Sequence, residues 1–216
     1  MVNIGVLMKK IFIHGSGHKA ASWNKAICLI NDRENILCPE LSVILGGKQA
    51  TYDNLYSGFA DYCNTIDGRV HLCGLSLGGI LALNYALDYQ EKVASLVLIG
   101  TPHKVPKAAF AFQNFIFRFL PKSMFDTMAF DKKNTFALGN TMKGLDFSDR
   151  VQSINCPTMI ICGKKDSANL KSAQYFAQNI KDASLKILEG VGHVVNEEYP
   201  EVLADILNEF YNEKTI

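Results

Sequence analysis

Along the chain, short apolar runs alternate with longer stretches of helical character. Lys10–Ile13, Asn35–Cys38, the run holding Val70, Leu72 and Cys73, Val93–Ile99, Pro157–Cys162 and Ser184–Leu188 are short and apolar, and glycine, proline or polar clusters bound them. Such runs predict buried strands. Ser22–Ile30, Tyr52–Ile66, Gly79–Leu87, Asn169–Ile180 and Glu197–Tyr211 read as helices. Pro200 falls in the first turn of the last one, where a missing N–H costs little, with Glu197 and Glu198 expected to cap it. Val2–Leu7 is either a short edge strand or a lead-in. Strand–helix alternation predicts a three-layer α/β domain, with about six mostly parallel strands and helices on both faces. No repeat or low-complexity linker divides the chain, so residues 1–216 read as a single domain.

One stretch departs from this rhythm. Ala108–Phe136 holds Phe110, Phe112, Phe115, Phe117, Phe119, Phe125, Phe130 and Phe136, out of 13 phenylalanines in the whole chain. Phe112, Phe115 and Phe119 recur at helical spacing, while Phe110 and Phe117 lie off that stripe. A helix apolar on more than one side needs cover on more than one side. The expectation is a small helical lid, about residues 104–148, whose inner face offers an apolar substrate pocket built on Phe112, Phe115 and Phe119. Packing of these rings onto the body, or a dimer contact, are the alternatives.

Composition narrows the function classes. The net charge is +1 over 216 residues, which favours neither nucleic acid nor an anionic membrane as partner. Cys28, Cys38, Cys63, Cys73, Cys156 and Cys162 form no C-x-x-C pair. They read as reduced, buried thiols of a cytoplasmic protein, without a disulfide framework or metal site. The first residues lack a leader's charged head and long apolar core, and no uncharged apolar run approaches the roughly 18 residues of a membrane span. Neither stable membrane insertion nor a cofactor is expected, and the oligomeric state is left open.

Four loops carry the candidate chemistry, and each directly follows an apolar strand. His14-Gly15-Ser16-Gly17 ends the first strand, Gly74-Leu75-Ser76-Leu77-Gly78 the third, Asp166 closes Gly163-Lys164-Lys165-Asp166, and His193 closes Gly190-Val191-Gly192-His193. In a parallel sheet these loops share the carboxyl end, where ligands bind. The G-x-S-x-G spacing places a serine on a sharp strand-to-helix turn. A serine hydroxyl becomes a useful nucleophile only when a base removes its proton, and a neutral histidine oriented by a carboxylate does this near pH 7. Ser76, His193 and Asp166 are the candidates. The amide of Leu77 sits at a helix N-terminus, where developing negative charge is stabilised. The amide of Ser16 is the expected second donor, with Gly17 as the fallback, and Gly15 and Gly17 would let a substrate approach the backbone. His14 is read as a structural histidine that hydrogen-bonds its loop, Trp23 as packed against that loop, and His103 as a solvated loop residue or the lining of a pocket mouth. For Asp166 the bland alternative is a solvated turn aspartate, though Asp126 and Asp131 are poor substitutes.

The chain resembles the α/β-hydrolase fold superfamily, in its small-lidded serine esterase type. The resemblance rests on HGSG at 14–17, GLSLGG at 74–79, GKKD at 163–166 and GVGH at 190–193, and covers nearly the whole chain. It implies Ser76 as nucleophile, Asp166 as acid, His193 as base, and the amides of Leu77 and Ser16 as oxyanion donors. The implied activity is cleavage of small-molecule carboxylic esters or thioesters through an acyl-enzyme, with the rate falling in acid through the ordinary histidine range, roughly pH 6–7. The same triad in relatives supports carbon–carbon bond hydrolysis or lyase chemistry, and a low-turnover ligand-binding or signalling protein on this fold is the third reading. The superfamily usually carries two or more strands before the H-G loop, and the short stretch ahead of Lys10 leaves no room for them, so a trimmed sheet with at most a vestigial edge is expected.

Overall fold

The computed structural model describes residues 8–105, 125 and 128–213. Its six strands are β1 (Lys9–Ile13), β2 (Ile36–Leu37), β3 (Val70–Leu75), β4 (Val93–Ile99), β5 (Thr158–Gly163) and β6 (Ala183–Leu188). They form one parallel sheet in the order β2-β1-β3-β4-β5-β6. The strand order reverses at β1, the kind of position where open α/β sheets leave a crevice at the strand ends. The helices are α1 (Asn24–Ile27), α2 (Leu41–Ile44), α3 (Tyr52–Asn64), α4 (Leu77–Asp88), α5 (Lys132–Met142), α6 (Ser167–Asn179), α7 (Val195–Glu198) and α8 (Pro200–Glu213).

Alternate strand residues feed two cores, as the two-residue period of a strand requires. Ile11, Ile13, Leu72, Leu96, Leu98 and Ile160 join the helices α2 to α6 on one face. Phe12, Cys73, Leu75, Val97, Ile99 and Ile161 join α1, α7 and α8 on the other. Trp23 belongs to this second core, edge-on to Phe12 at 5.1 Å. β3 and β4 are buried along their whole length, so near-continuous apolar runs are their sequence signature.

Several boundaries differ from expectation. The helix expected over Ser22–Ile30 is a 3-10 turn, Ala20–Trp23, followed by the single α turn of α1. The closing helix is two helices. Tyr199 interrupts them at φ −139°, Pro200 starts α8, and Glu197 and Glu198 end α7 instead of capping the final helix. Helix α5 lies inside the stretch expected as lid, and α2 falls where no element was expected. α5 starts where the Asp131 side chain accepts the Asn134 amide proton. Cys63, Cys73, Cys156 and Cys162 are buried, whereas Cys28 is exposed and Cys38 intermediate.

The segment between β4 and β5 leaves and re-enters the body through an antiparallel neck, where the Val105 amide donates to Leu145 and the Phe147 amide to His103. Past the neck, Phe130, Leu138, Met142 and Phe147 are buried in the same core as α3 and α4. Val2–Leu7 and the stripe Phe112, Phe115, Phe119 lie outside the described residues. Among the described residues no helix is long and apolar enough to cross a membrane.

Candidate active site

The turn after β3 is fixed by what its glycines lack. A Cβ on Gly74 would lie 2.3 Å from the Gly78 carbonyl oxygen, and one on Gly78 would lie 2.1 Å from that of Ile13. These contacts explain the glycine–serine–glycine spacing: the incoming strand and the outgoing helix touch backbone to backbone, and α4 touches the end of β1 the same way. Gly79 instead makes room for a side chain, because a Cβ there would meet Thr101 Oγ1 at 1.9 Å. Ser76 takes up the reversal at φ +55°, ψ −113°, in a region few side-chain-bearing residues adopt. Its amide donates to Ile99 at 2.9 Å, which anchors it to the end of β4. Leu77 is the first residue of α4, so its amide is among those no helical carbonyl can satisfy.

Asp166 and His193 meet beside that same strand end. His193 Nδ1 donates to Asp166 Oδ2 at 2.6 Å. The carboxylate side chain is 5% exposed and the imidazole 37%, so the acid is buried while the ring reaches solvent. Burial alone would raise the Asp166 carboxyl. Hydrogen bonds from His193 and Asn169 outweigh that and hold it below the usual carboxylate range. Asn169 Nδ2 lies 3.0 Å from both carboxylate oxygens. Gly100, the residue after β4, makes room for the pair. A Cβ there would lie 2.9 Å from His193 Nδ1 and 3.1 Å from Asp166 Oδ2, and its φ of +51° suits glycine. Ser76 is thus tied to Ile99, and the His193–Asp166 pair rests on Gly100. A histidine bonded to a buried carboxylate and a serine on a strained turn are held at adjacent backbone positions, Gly100 and Ile99.

The loop after β1 borders this centre. Gly15 is buried, and a methyl on it would lie 3.5 Å from Ser76 Cβ. Gly17 is exposed, with no atom within 4 Å of a Cβ added there, and Ser16 between them is partly exposed. His14 is fully buried beneath the loop. Its Nδ1 donates to the Gly15 carbonyl at 2.9 Å and its Nε2 accepts from the Leu41 amide at 3.1 Å. Burial pushes its imidazole below the ordinary value, with Gly15 and Glu40 opposing. With both nitrogens engaged, His14 pins the loop to α2. His103 departs from the solvated reading: it is buried, bonded to Ser172 Oγ at 2.9 Å and stacked on Tyr175 at 4.3 Å.

Three residues at this site escaped the sequence reading. Asn169 lies three residues after Asp166, one helical turn on, and that spacing was its only signal. Gly100 ends a strand, where glycine is too common to be noticed. His18 directly follows the HGSG loop, and no motif marks it. A cleft of about 700 Å³ between Leu45, Lys48, Phe130 and Asn134 contains none of the residues of this centre.

Comparison with known proteins agrees with this architecture. A family model described as "Alpha/beta hydrolase family" matches residues 11–206. A 2-hydroxy-6-oxononadienedioate/2-hydroxy-6-oxononatrienedioate hydrolase from Pseudomonas putida is 23% identical over 93% of this chain and 86% of its own length. A proline iminopeptidase from Saccharolobus solfataricus is 23% identical over 67% of this chain, which spans 64% of that enzyme. Among solved structures, a carboxylesterase of the thaumarchaeon Nitrososphaera gargenis superposes with a TM-score of 0.82 at 17% identity, over 96% of this chain and 91% of its own. An esterase from Thermogutta terrifontis gives 0.77 at 17% identity, over 96% and 90%.

Proposed function

The chain belongs to the alpha/beta hydrolase family, and from that premise and the geometry of its strand ends we propose that it is a serine hydrolase cleaving carboxylic esters, thioesters included. The observation that carries the reading is the convergence of Ser76, on its strained turn, with a histidine held by a buried carboxylate at 2.6 Å. In this reading Ser76 Oγ attacks the ester carbonyl carbon while His193 Nε2 takes its proton. Asp166 accepts the Nδ1 proton bond, which fixes the tautomer and stabilises the imidazolium. The amides of Leu77 and Ser16 donate to the oxyanion. The carbon–oxygen or carbon–sulfur bond then breaks as His193 returns the proton to the leaving alcohol or thiol. Water, deprotonated by the same histidine, releases the acid and restores Ser76.

The aromatic segment entered through the neck at Val105 and Leu145 is proposed as the lid, with Phe112, Phe115 and Phe119 contacting the apolar part of the substrate. Esterase relatives by fold support the ester class, since the named carboxylesterase and esterase share this architecture.

The test is hydrolysis of nitrophenyl esters graded from acetyl to palmitoyl, by wild type and Ser76→Ala. The reading expects turnover that disappears in Ser76→Ala, with a chain-length optimum that measures the acyl pocket. A folded wild type inert across the series contradicts it.

A further inference from the structure

The chain has five histidines, and four have visible work. His14 pins its loop, His71 is bonded to Ser95 Oγ, His103 to Ser172 Oγ, and His193 to Asp166. His18 differs. Its Nδ1 is buried from solvent yet finds no hydrogen-bond partner among the described residues. A buried nitrogen in that state costs stability unless something arrives to pair with it.

Its position says what could arrive. The turn Gly15–His18, closed by the His18 amide donating to Gly15 at 3.1 Å, folds the imidazole back toward the loop's start. A methyl on Gly15 would lie 3.3 Å from His18 Nδ1 and 3.5 Å from Ser76 Cβ. The orphan nitrogen and the Cβ of Ser76 therefore border one point beside Gly15. Burial lowers the His18 basicity; Glu197 opposes this, and His14 and His193 add to it. The ring is neutral near pH 7, so Nδ1 offers one uncharged hydrogen bond. An uncharged oxygen suits it better than a carboxylate, which seeks a cation.

Resting on the serine-hydrolase reading, we propose that His18 determines specificity: its Nδ1 hydrogen-bonds a hydroxyl or keto oxygen carried by the substrate one or two carbons from the reacting carbonyl. The substrate class narrows from plain alkyl esters to esters of hydroxy or keto acids. A site built to pair such an oxygen discriminates against the analogue lacking it, because that analogue leaves the buried nitrogen unpaired.

The experiment compares kcat/KM for ethyl butyrate, ethyl 3-hydroxybutyrate and ethyl 3-oxobutanoate in wild type, His18→Leu and His18→Asn. Circular dichroism and fluorophosphonate labelling verify that each variant is folded. Asparagine places a nitrogen or oxygen near the position of Nδ1, so it serves as the rescue. The wild type is expected to prefer one of the oxygenated esters at least tenfold, His18→Leu to bring that ratio to within about twofold of unity, and His18→Asn to recover most of it. A wild-type ratio near unity, or a ratio unchanged in His18→Leu, overturns the role of His18 and leaves the hydrolase reading standing. A wild type that cleaves none of the three and takes no fluorophosphonate label contradicts the hydrolase reading itself.

Discussion

β3 carries a serine–histidine arrangement at each end, and only one of them looks reactive. Near its start, His71 Nδ1 lies 2.8 Å from Ser95 Oγ on the neighbouring strand. At its other end stands Ser76, with His193 and Asp166 beside it. The surroundings of the two histidines are opposite. His71 is buried edge-on to Tyr211, and cross-strand from Lys10, whose Nζ lies 5.4 Å from the same ring. Burial, then the charges of Lys10 and Arg69, push its imidazole down to about 4. Among the described residues no carboxylate pairs with it, and Ser95 lies in regular strand with no solvent access. His193 instead has a buried acid behind it, a solvent-facing edge, and a serine held at positive φ. Ser95 lies within hydrogen-bond reach of a histidine and is still a core contact, so that proximity is a weak criterion. The carboxylate, the strained turn and the opening to solvent separate a candidate nucleophile from a core contact.

Ser76→Ala and Ser95→Ala set the extremes of this contrast. Ser76→Ala should lower kcat on a nitrophenyl ester by about 10⁴-fold or more, because it removes the proposed nucleophile and leaves only the proposed binding and oxyanion contacts. Gly100→Ala comes next. Its Cβ would press on His193 Nδ1 at 2.9 Å from a φ of +51°, and a displaced base should cost about 100-fold in kcat. Steady-state rates unchanged in Gly100→Ala would mean that the pair does not need that space. Asn169→Ala removes the donor to both Asp166 oxygens. With that support gone the carboxyl should rise, and kcat should fall about tenfold with KM within about twofold of wild type. A change confined to KM would contradict the positioning role.

The amino end should show itself in stability. The native His71 has a pKa of about 4 against 6.5 unfolded. Between these values the unfolded chain binds the extra proton, so its contribution is intact above pH 6.5 and is lost as pH falls toward 4. The full effect is of the order of 3 kcal/mol. His14 and His18, also lowered by burial, act in the same direction. Urea unfolding at pH 4.5 and 7.5 should show a drop in wild type that shrinks in His71→Asn. An equal drop in both would assign the acid sensitivity elsewhere. The smallest effect belongs to Ser95→Ala, whose turnover should stay within twofold of wild type.

The sheet was legible because buried parallel strands are short apolar runs, and β4 was read at its observed limits, Val93–Ile99. The four loops were legible because each follows such a run. The helices around Trp23 and Tyr199 were read too long, since apolar periodicity continues through a 3-10 turn or a break that only backbone dihedrals reveal. α5 was absorbed into the aromatic segment, where Phe130 and Phe136 drew attention from the Asp131 cap. Asn169 left only its three-residue spacing from Asp166 as a trace. Gly100 and His18 matter through contacts distant in sequence, with His193 or beside Ser76, that leave no periodic trace in the chain.

The central claim is that the pair His193–Asp166 activates Ser76, and covalent trapping tests it most directly. Wild type and His193→Ala would be exposed to a fluorophosphonate, the labelling rate followed, and the modified residue located by mass spectrometry of peptides. The adduct should sit on Ser76 in wild type and form at least 100-fold more slowly in His193→Ala. A folded wild type that carries no adduct, carries it on another residue, or labels equally fast without His193 would contradict the account.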